Sequence, residues 1–420
     1  MSDSIVLFIF ALIAINNTIH FGAYITGANI YDIKQMKRNR LPALRARKKK
    51  PLVTVIVPAH NELIGIIRTL DSIRRSTYRK LQILVVDDAS TDDTRKVALK
   101  YIRDYPNRGI RLLRKQKNVG KGEALNHVLR KYARGELVMT LDADSVLDNK
   151  AISNAVKYFD DPLVIGIAAN VQVVDSHSVL GMLQKFEHLI GYRSKKFYTL
   201  TNSEFVIGGV ASTYRMDVIK KARFYDTDTQ TEDIGLSLKL ISQGNIHQKI
   251  VYASDVLAMT EGVQSYRALF KQRYRWKLGM LQNLLKYRSI IGSTDKKYSR
   301  LLTFYRLPMS VLSEFIILLE PILLAYVLYL SVINQQYAMF VGAYLVITLY
   351  TLWTVWPDEH LSNKSKFRMS MYSPIMYFLF YIMNVVQIAA LLRCFKNHEQ
   401  LRLKVATGGA WSSPERAIAK

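Results

Sequence analysis

Leu52-Val-Thr-Val-Ile-Val57, closed by Pro58-Ala-His-Asn-Glu62, reads as a fully buried β-strand running into a polar loop. A helical pattern follows through Ile66, Ile67, Leu70 and Ile73. Residues 81–86 form a second buried run, stopped by Asp87-Asp88-Ala-Ser90. A helix from about 92 to 105 leads to a third strand near 110–113, and the turn Asn118-Val-Gly-Lys-Gly122 opens another helix. Residues 137–141 are a fourth strand, ending at Asp142. Strands and helices alternating at these lengths predict an α/β fold with a mostly parallel sheet covered on both faces. Ligands of such sheets bind beyond the carboxyl ends of the strands. The polar clusters stand at those ends, so they are expected to converge on one crevice. No G-x-x-x-x-G-K-[ST] or G-x-G-x-x-G run is present, which sets aside P-loop and dinucleotide sites.

Outward from this domain the chain turns apolar. Residues 5–24, 307–333, 339–356 and 372–392 are each about the length that crosses a hydrocarbon core. The first run lacks the basic start and small-residue cleavage site of a signal peptide, so an uncleaved span is expected. Nine basic residues between Lys34 and Lys50 place the middle of the chain on the cytoplasmic side of the plasma membrane. The expected organisation of the 420 residues is a transmembrane helix (1–27), a basic juxtamembrane linker (28–50), the nucleotide-binding α/β domain with interfacial helices (51–290), a transmembrane or interfacial region (291–393) and a tail (394–420). Three C-terminal crossings would leave the tail outside. Because Glu314, Glu320 and Pro321 interrupt 307–333, that run is the least regular, and the tail is expected in the cytoplasm. The net charge of +26 belongs with the membrane-flanking segments and their attraction to anionic lipid, not with nucleic acid. The single Cys394 excludes an internal disulfide and a Cys-rich zinc site.

Asp142 and Asp144 stand one residue apart at a strand end, so both can face one ligand. Two carboxylates and a diphosphate make an oxygen cage for Mg2+ or Mn2+; the alternative is an acid pair capping the next helix. Asp87 and Asp88 are expected either to bind a base or ribose, or to support helix capping by Ser90 or Thr91. Glu62 is grouped with them as donor-binding. Lys121, in a Gly-flanked turn at a helix start, is expected either to meet a phosphate or stack near the base, or to be an ordinary lysine of that turn. Thr231-Glu232-Asp233 opens an apolar helix, with Thr231 as its expected cap. Deprotonating an acceptor hydroxyl requires a carboxylate, for which Asp233 is the first choice and Glu232 the second. Gln272, Arg275 and Trp276 fall on one helix face at i, i+3 and i+4. An indole can stack on a pyranose ring while Arg275 pairs with a diphosphate; membrane-surface anchoring is the alternative. Gly208 and Gly209, in Phe205-Val-Ile-Gly-Gly-Val-Ala-Ser-Thr-Tyr-Arg215, either let backbone approach the acceptor or mark an ordinary turn.

In this order the motifs resemble those of the family 2 inverting glycosyltransferases of GT-A fold. Within them the likeness is to the processive, membrane-embedded branch of hyaluronan, chitin, cellulose and poly-N-acetylglucosamine synthases. The resemblance runs from Pro51 to about Met280. It is nearest to bacterial poly-β-1,6-N-acetylglucosamine synthases, through Asn118-Val-Gly-Lys-Gly-Glu-Ala-Leu-Asn126, Thr231-Glu-Asp-Ile234 and the tail Gly408-Gly-Ala-Trp-Ser-Ser-Pro-Glu-Arg416. It implies uridine recognition by Asp87 or Asp88, and binding of UDP and a metal by Asp142 and Asp144. Asp233 would be the base, and Gln272, Arg275 and Trp276 the acceptor and diphosphate site, with Trp411 and Arg416 nearby. Implied partners are a UDP-sugar, the growing polysaccharide, the lipid bilayer and a small membrane accessory subunit. Polar Asn384 and Gln387 in the last apolar run would line an export path or bond helix to helix. Two departures touch donor binding: Ala89 stands where the family usually has glycine, and Gly122-Glu123 replaces the commoner Ala-Asn. The competing expectations are transfer of one sugar to a lipid acceptor and a hyaluronan-, chitin- or cellulose-type product.

Overall fold

The computed structural model describes residues 2–40, 50–174, 178–335 and 337–401. Eight strands form one sheet: β1 (Val53–Ala59), β2 (Leu81–Asp87), β3 (Arg111–Arg114), β4 (Leu137–Thr140), β5 (Val146–Leu147), β6 (Val164–Val173), β7 (Ser212–Arg215) and β8 (Lys249–Thr260). Their order is β3-β2-β1-β4-β7-β6-β8-β5. The first half, β3-β2-β1-β4, is parallel throughout. Beyond it β7 runs antiparallel to both β4 and β6, β8 is parallel to β6, and β5 is antiparallel to β8. The sheet is therefore mixed, with its parallel half built as the alternation of strands and helices predicts.

Twelve α-helices are present among the described residues. The first five are α1 (Ser2–Arg40), α2 (Ile66–Arg74), α3 (Thr94–Asp104), α4 (Lys121–Lys131) and α5 (Ala151–Tyr158). Then come α6 (Val179–Leu200), α7 (Met216–Lys221), α8 (Glu232–Gln243) and α9 (Tyr266–Lys286), followed by α10 (Leu307–Ile333), α11 (Tyr337–Val355) and α12 (Asn363–Lys396). Strand alternation divides the core. Val53, Val55 and Val57 of β1 pack with Ile66, Leu70 and Ile73 of α2 and with Ile152 and Val156 of α5. Ile56 faces the other way, with Leu125, Val128 and Leu129 of α4 and Leu236 and Leu240 of α8. With every β1 residue buried, a β-branched run is the only kind of segment that suits both faces.

Residues 28–40, expected to begin a linker, are the last third of α1 and dock on the domain. Tyr31 is buried and its Oη donates to the Tyr252 carbonyl at 2.7 Å. Asp32 pairs with Lys196 at 2.5 Å and with Arg193 at 3.5 Å. The helix persists because an adjacent aromatic and acid find partners on β8 and α6; residues 41–49, with four of the basic side chains, lie outside the described residues.

Among the described residues two helical stretches, Leu302–Ile333 and Phe378–Lys396, are long and apolar enough to cross a membrane. The run expected to be least regular is thus one of the two that qualify. Its interrupting acids have partners: Glu314 pairs with Lys277 of α9, and Glu320 accepts from Asn384 Nδ2 at 2.7 Å. That bond favours the helix-to-helix role for Asn384. Pro321 sits inside α10 without ending it, and α11 carries a shorter apolar stretch, Tyr344–Val355. The tail motif with Trp411 and Arg416 lies outside the described residues.

Candidate active site

Parallel register brings the strand ends level. Ala59 of β1 stands opposite Asp87 of β2, and Ile56 opposite Thr140 of β4, so the loops after all three strands open on one edge. The loop after β1 and the turn after β2 are stitched together. Asn61 Oδ1 accepts from Thr91 N (2.8 Å) and Thr91 Oγ1 (3.2 Å), and Ser90 Oγ accepts from Asn61 N (3.1 Å). Ala89, between them, has φ +58°, a left-handed conformation in which a Cβ is strained. The glycine usual at this position in the resembled family has a backbone reason.

Asp87 and Asp88 are both buried, and their carboxylates are partly used by the turns that hold them. Asp87 Oδ1 accepts from Ser90 N at 3.0 Å. Asp88 Oδ2 accepts from Gly120 N at 2.9 Å and Oδ1 from Val119 N at 3.1 Å, which ties the β2 end to the turn that opens α4. Burial raises the Asp88 pKa, against those backbone bonds. Glu62 is also buried, and its backbone N–H donates to Thr94 Oγ1 at 2.8 Å. The capping expectation shifts by one or two residues: Asp92 Oδ1, not Ser90 or Thr91, accepts from Thr94 N at 2.9 Å where α3 begins.

Lys121 is the hub. Its Nζ lies 2.7 Å from Asp142 Oδ1 and 3.3 Å from Glu232 Oε1, joining the end of β4 to the first turn of α8. Burial works against its charge, but Asp142, Glu232 and Asp233 together hold its pKa above the ordinary lysine value. Gly120, at φ +85°, sets the turn that aims it. Gly209 leaves room for the ammonium: a Cβ there would stand 2.7 Å from Lys121 Nζ, 3.6 Å from Asp233 Oδ2 and 3.9 Å from Asp142 Oδ1. The same construction at Gly208 meets open space. Burial, and then the Glu232 charge beside it, push the Asp233 carboxyl up to about 6, with Lys121 and Arg275 opposing. A carboxylate poised there suits proton abstraction near neutral pH.

Asp144, two residues past Asp142, accepts from Ser145 Oγ at 2.9 Å. Among the described residues no three His, Cys, Asp or Glu side chains group as a metal site. The pair nevertheless fits Mg2+ or Mn2+, because such ions are commonly held by one or two carboxylates with phosphate oxygens and water. On α9, Arg275 is exposed and its charge reaches Asp233, while Gln272 and Trp276 are half-buried. Arg273, not Arg275, stacks on the Trp276 ring, at 4.4 Å from its centroid, and pairs with Glu187 at 2.6 Å.

Several supporting residues are invisible to motif reading. Buried Glu204 accepts from the N–H groups of Phe205 (3.0 Å) and Val206 (2.8 Å) through Oε1, and Lys195 Nζ donates to the Val206 carbonyl at 2.6 Å. These two brace the root of the Gly208-Gly209 loop, and burial lowers the Lys195 pKa. Asp226 and Asp228 clasp Lys286 of α9 at 2.7 and 2.8 Å just before α8. The acids at 226 and 228 ahead of Thr231-Glu-Asp were the available signal. Thr231 occupies the N-cap position of α8 without a side-chain cap bond; its hydroxyl instead accepts from Asn283 Nδ2 at 3.1 Å.

This mixed sheet, with acids gathered beyond its parallel half, is the GT-A arrangement of nucleotide-sugar transferases. Residues 54–223 match the model of the glycosyl transferase family 2. Poly-beta-1,6-N-acetyl-D-glucosamine synthase of Staphylococcus aureus (strain COL) is 30% identical over 270 residues, covering 64% of this chain and 63% of the relative. The protein of the same name from Staphylococcus epidermidis is 28% identical over 268 residues, covering 63% of each. The chain thus matches less than two thirds of these relatives' own length. Among solved structures, a mannosyltransferase from Pyrobaculum calidifontis in complex with GDP-Man and Mn2+ superposes with a TM-score of 0.55 at 22% identity, covering 90% of this chain and 96% of that one. That likeness is one of fold.

Proposed function

We propose that this chain is an inverting glycosyltransferase of the membrane that polymerises N-acetylglucosamine from a UDP-sugar into a β-linked polysaccharide. The observation that carries the reading is Lys121 bridging Asp142 and Glu232 with Asp233 alongside. Acids from the end of β4 and the start of α8 share one ammonium where a nucleotide's phosphates would lie. The names of the staphylococcal relatives and the match to the first motifs support the sugar and the polymer.

In this mechanism Asp233 takes the proton from the acceptor hydroxyl, whose oxygen attacks the anomeric carbon in line. The bond from that carbon to the diphosphate breaks, and UDP departs with the electron pair. An α-linked donor gives a β-linked product. Arg275 and Lys121 meet the diphosphate charge, Gln272 and Trp276 hold the acceptor, and Gly208 and Gly209 let it approach the backbone. Asp87, Asp88 and Glu62 shape the nucleoside pocket, Asp88 by fixing the turn at Gly120. Asp142 and Asp144 would hold a Mg2+ or Mn2+ ion, which would supply countercharge to the leaving diphosphate. The catalytic domain works on the cytoplasmic side of the plasma membrane, with the apolar helices offering a route for the polymer and a surface for a small membrane subunit.

The test is incubation of the full chain in lipid nanodiscs with different radiolabelled UDP-sugars, followed by sizing and digestion with linkage-specific hydrolases. A long, β-1,6-hydrolase-sensitive product from UDP-N-acetylglucosamine is expected, falling about 10²–10⁴-fold in Asp233→Asn. A glycolipid carrying a single sugar would refute polymerisation.

A further inference from the structure

One buried amide joins the helix bearing Gln272, Arg275 and Trp276 to the helix bearing the acid pair. Asn283, on α9, is fully buried. Its Nδ2 lies 3.1 Å from both the carbonyl and the hydroxyl of Thr231, 3.2 Å from Thr229 Oγ1 and 2.9 Å from the Gly279 carbonyl. An amide nitrogen has two protons for these four acceptors, so the surrounding backbone holds it from several directions at once.

Both helices are pared down to admit it. A Cβ on Gly235 of α8 would sit 2.9 Å from Asn283 Oδ1, and one on Gly279 of α9 would overlap the Thr231 side chain. Asn283 Oδ1 is buried without a hydrogen-bond partner among the described residues. That is a cost an apolar side chain would not carry, so stability alone does not account for an amide here. Its neighbours act on the same segment. Gln282 Oε1 accepts from Gln230 N at 2.8 Å, and Lys286 holds Asp226 and Asp228. Thr231 directly precedes Glu232, so whatever fixes it sets the first turn of α8.

We infer that Asn283 is a positioning residue: by anchoring Thr231 it sets the Asp233 carboxylate in register with Arg275 and the acceptor face of α9. It touches no substrate and acts through Thr231. The inference rests on the reading of Asp233 as the base. Small displacements of a catalytic group of this kind lower turnover about a hundredfold without weakening ground-state binding.

The experiment uses the full chain in nanodiscs, with Asn283→Ala, Thr231→Val and the double variant. The readouts are kcat per folded molecule, KM for UDP-N-acetylglucosamine and Kd for UDP. Expected are a ten- to hundredfold fall in kcat for each single variant, donor KM and UDP Kd within about twofold of the parent, and a double variant no worse than the weaker single. Unchanged kcat in folded single variants would overturn the inference. So would a parallel loss of UDP binding, which marks a general structural role, or losses that multiply in the double variant. No transfer by the unaltered chain from any UDP-sugar would instead sink the functional reading beneath it.

Discussion

Asp233→Asn should make the unliganded protein more resistant to heat while it removes transfer. Folding raises this carboxyl from 3.8 to about 6, chiefly through burial and the neighbouring Glu232. An acid held above its unfolded value contributes stability that is full below pH about 4 and is lost as the pH rises through about 6. At pH 7.5 the ionised native site therefore carries an expense that asparagine avoids. The raised pKa corresponds to about 3 kcal/mol, and because the residue is half-buried rather than sealed from water, this falls to about 1–2 kcal/mol. Lys121 keeps Asp142 and Glu232 in the variant, so the ammonium is not stranded. For a domain of this size the midpoint should rise by about 2–8 °C at pH 7.5. The gain should shrink toward zero as the pH falls to 4. Thermal unfolding followed by intrinsic fluorescence between pH 4 and 8 reads both. Equal midpoints at pH 7.5, or a gap that persists unchanged at pH 4, would refute the account of Asp233 as an acid raised by burial and by Glu232.

Two further outcomes are expected. Gly209→Ala puts a methyl group where the Lys121 ammonium now reaches Asp142, so transfer should fall at least about tenfold; because a flexible chain end is what must yield, the unfolding midpoint should hold, and a fully active variant would refute the crowding. Ala89→Gly relieves a left-handed backbone and should stabilise the protein by about 0.5–1 kcal/mol in denaturant titration, whereas no gain removes the strain argument.

The parallel half of the sheet could be read from residues alone because β1, β2 and β4 are buried on both faces and stop at polar clusters. The antiparallel half could not. β5 has two residues and β7 has four; β7 exists only through β4 and β6 on either side, and β5 only through β8 at the sheet edge. The acids at 142, 232 and 233 were visible by type and order, but their convergence on Lys121 was not, since an ammonium's partners on distant loops leave no trace in spacing. Thr231 misled for a related reason: local pattern makes it a cap, while a contact from α9 engages its hydroxyl elsewhere. The docking of residues 28–40 was not legible, because Tyr31 and Asp32 find tertiary partners that a count of positive charges does not register.

That docking of α1 decides where the molecule can be cut. A catalytic half released at residue 50 would uncover Tyr252 and leave Arg193 and Lys196 facing water without Asp32. Anyone wanting a soluble fragment must carry the leading helix along, or replace its last turns with something that offers a phenol and a carboxylate at the same places.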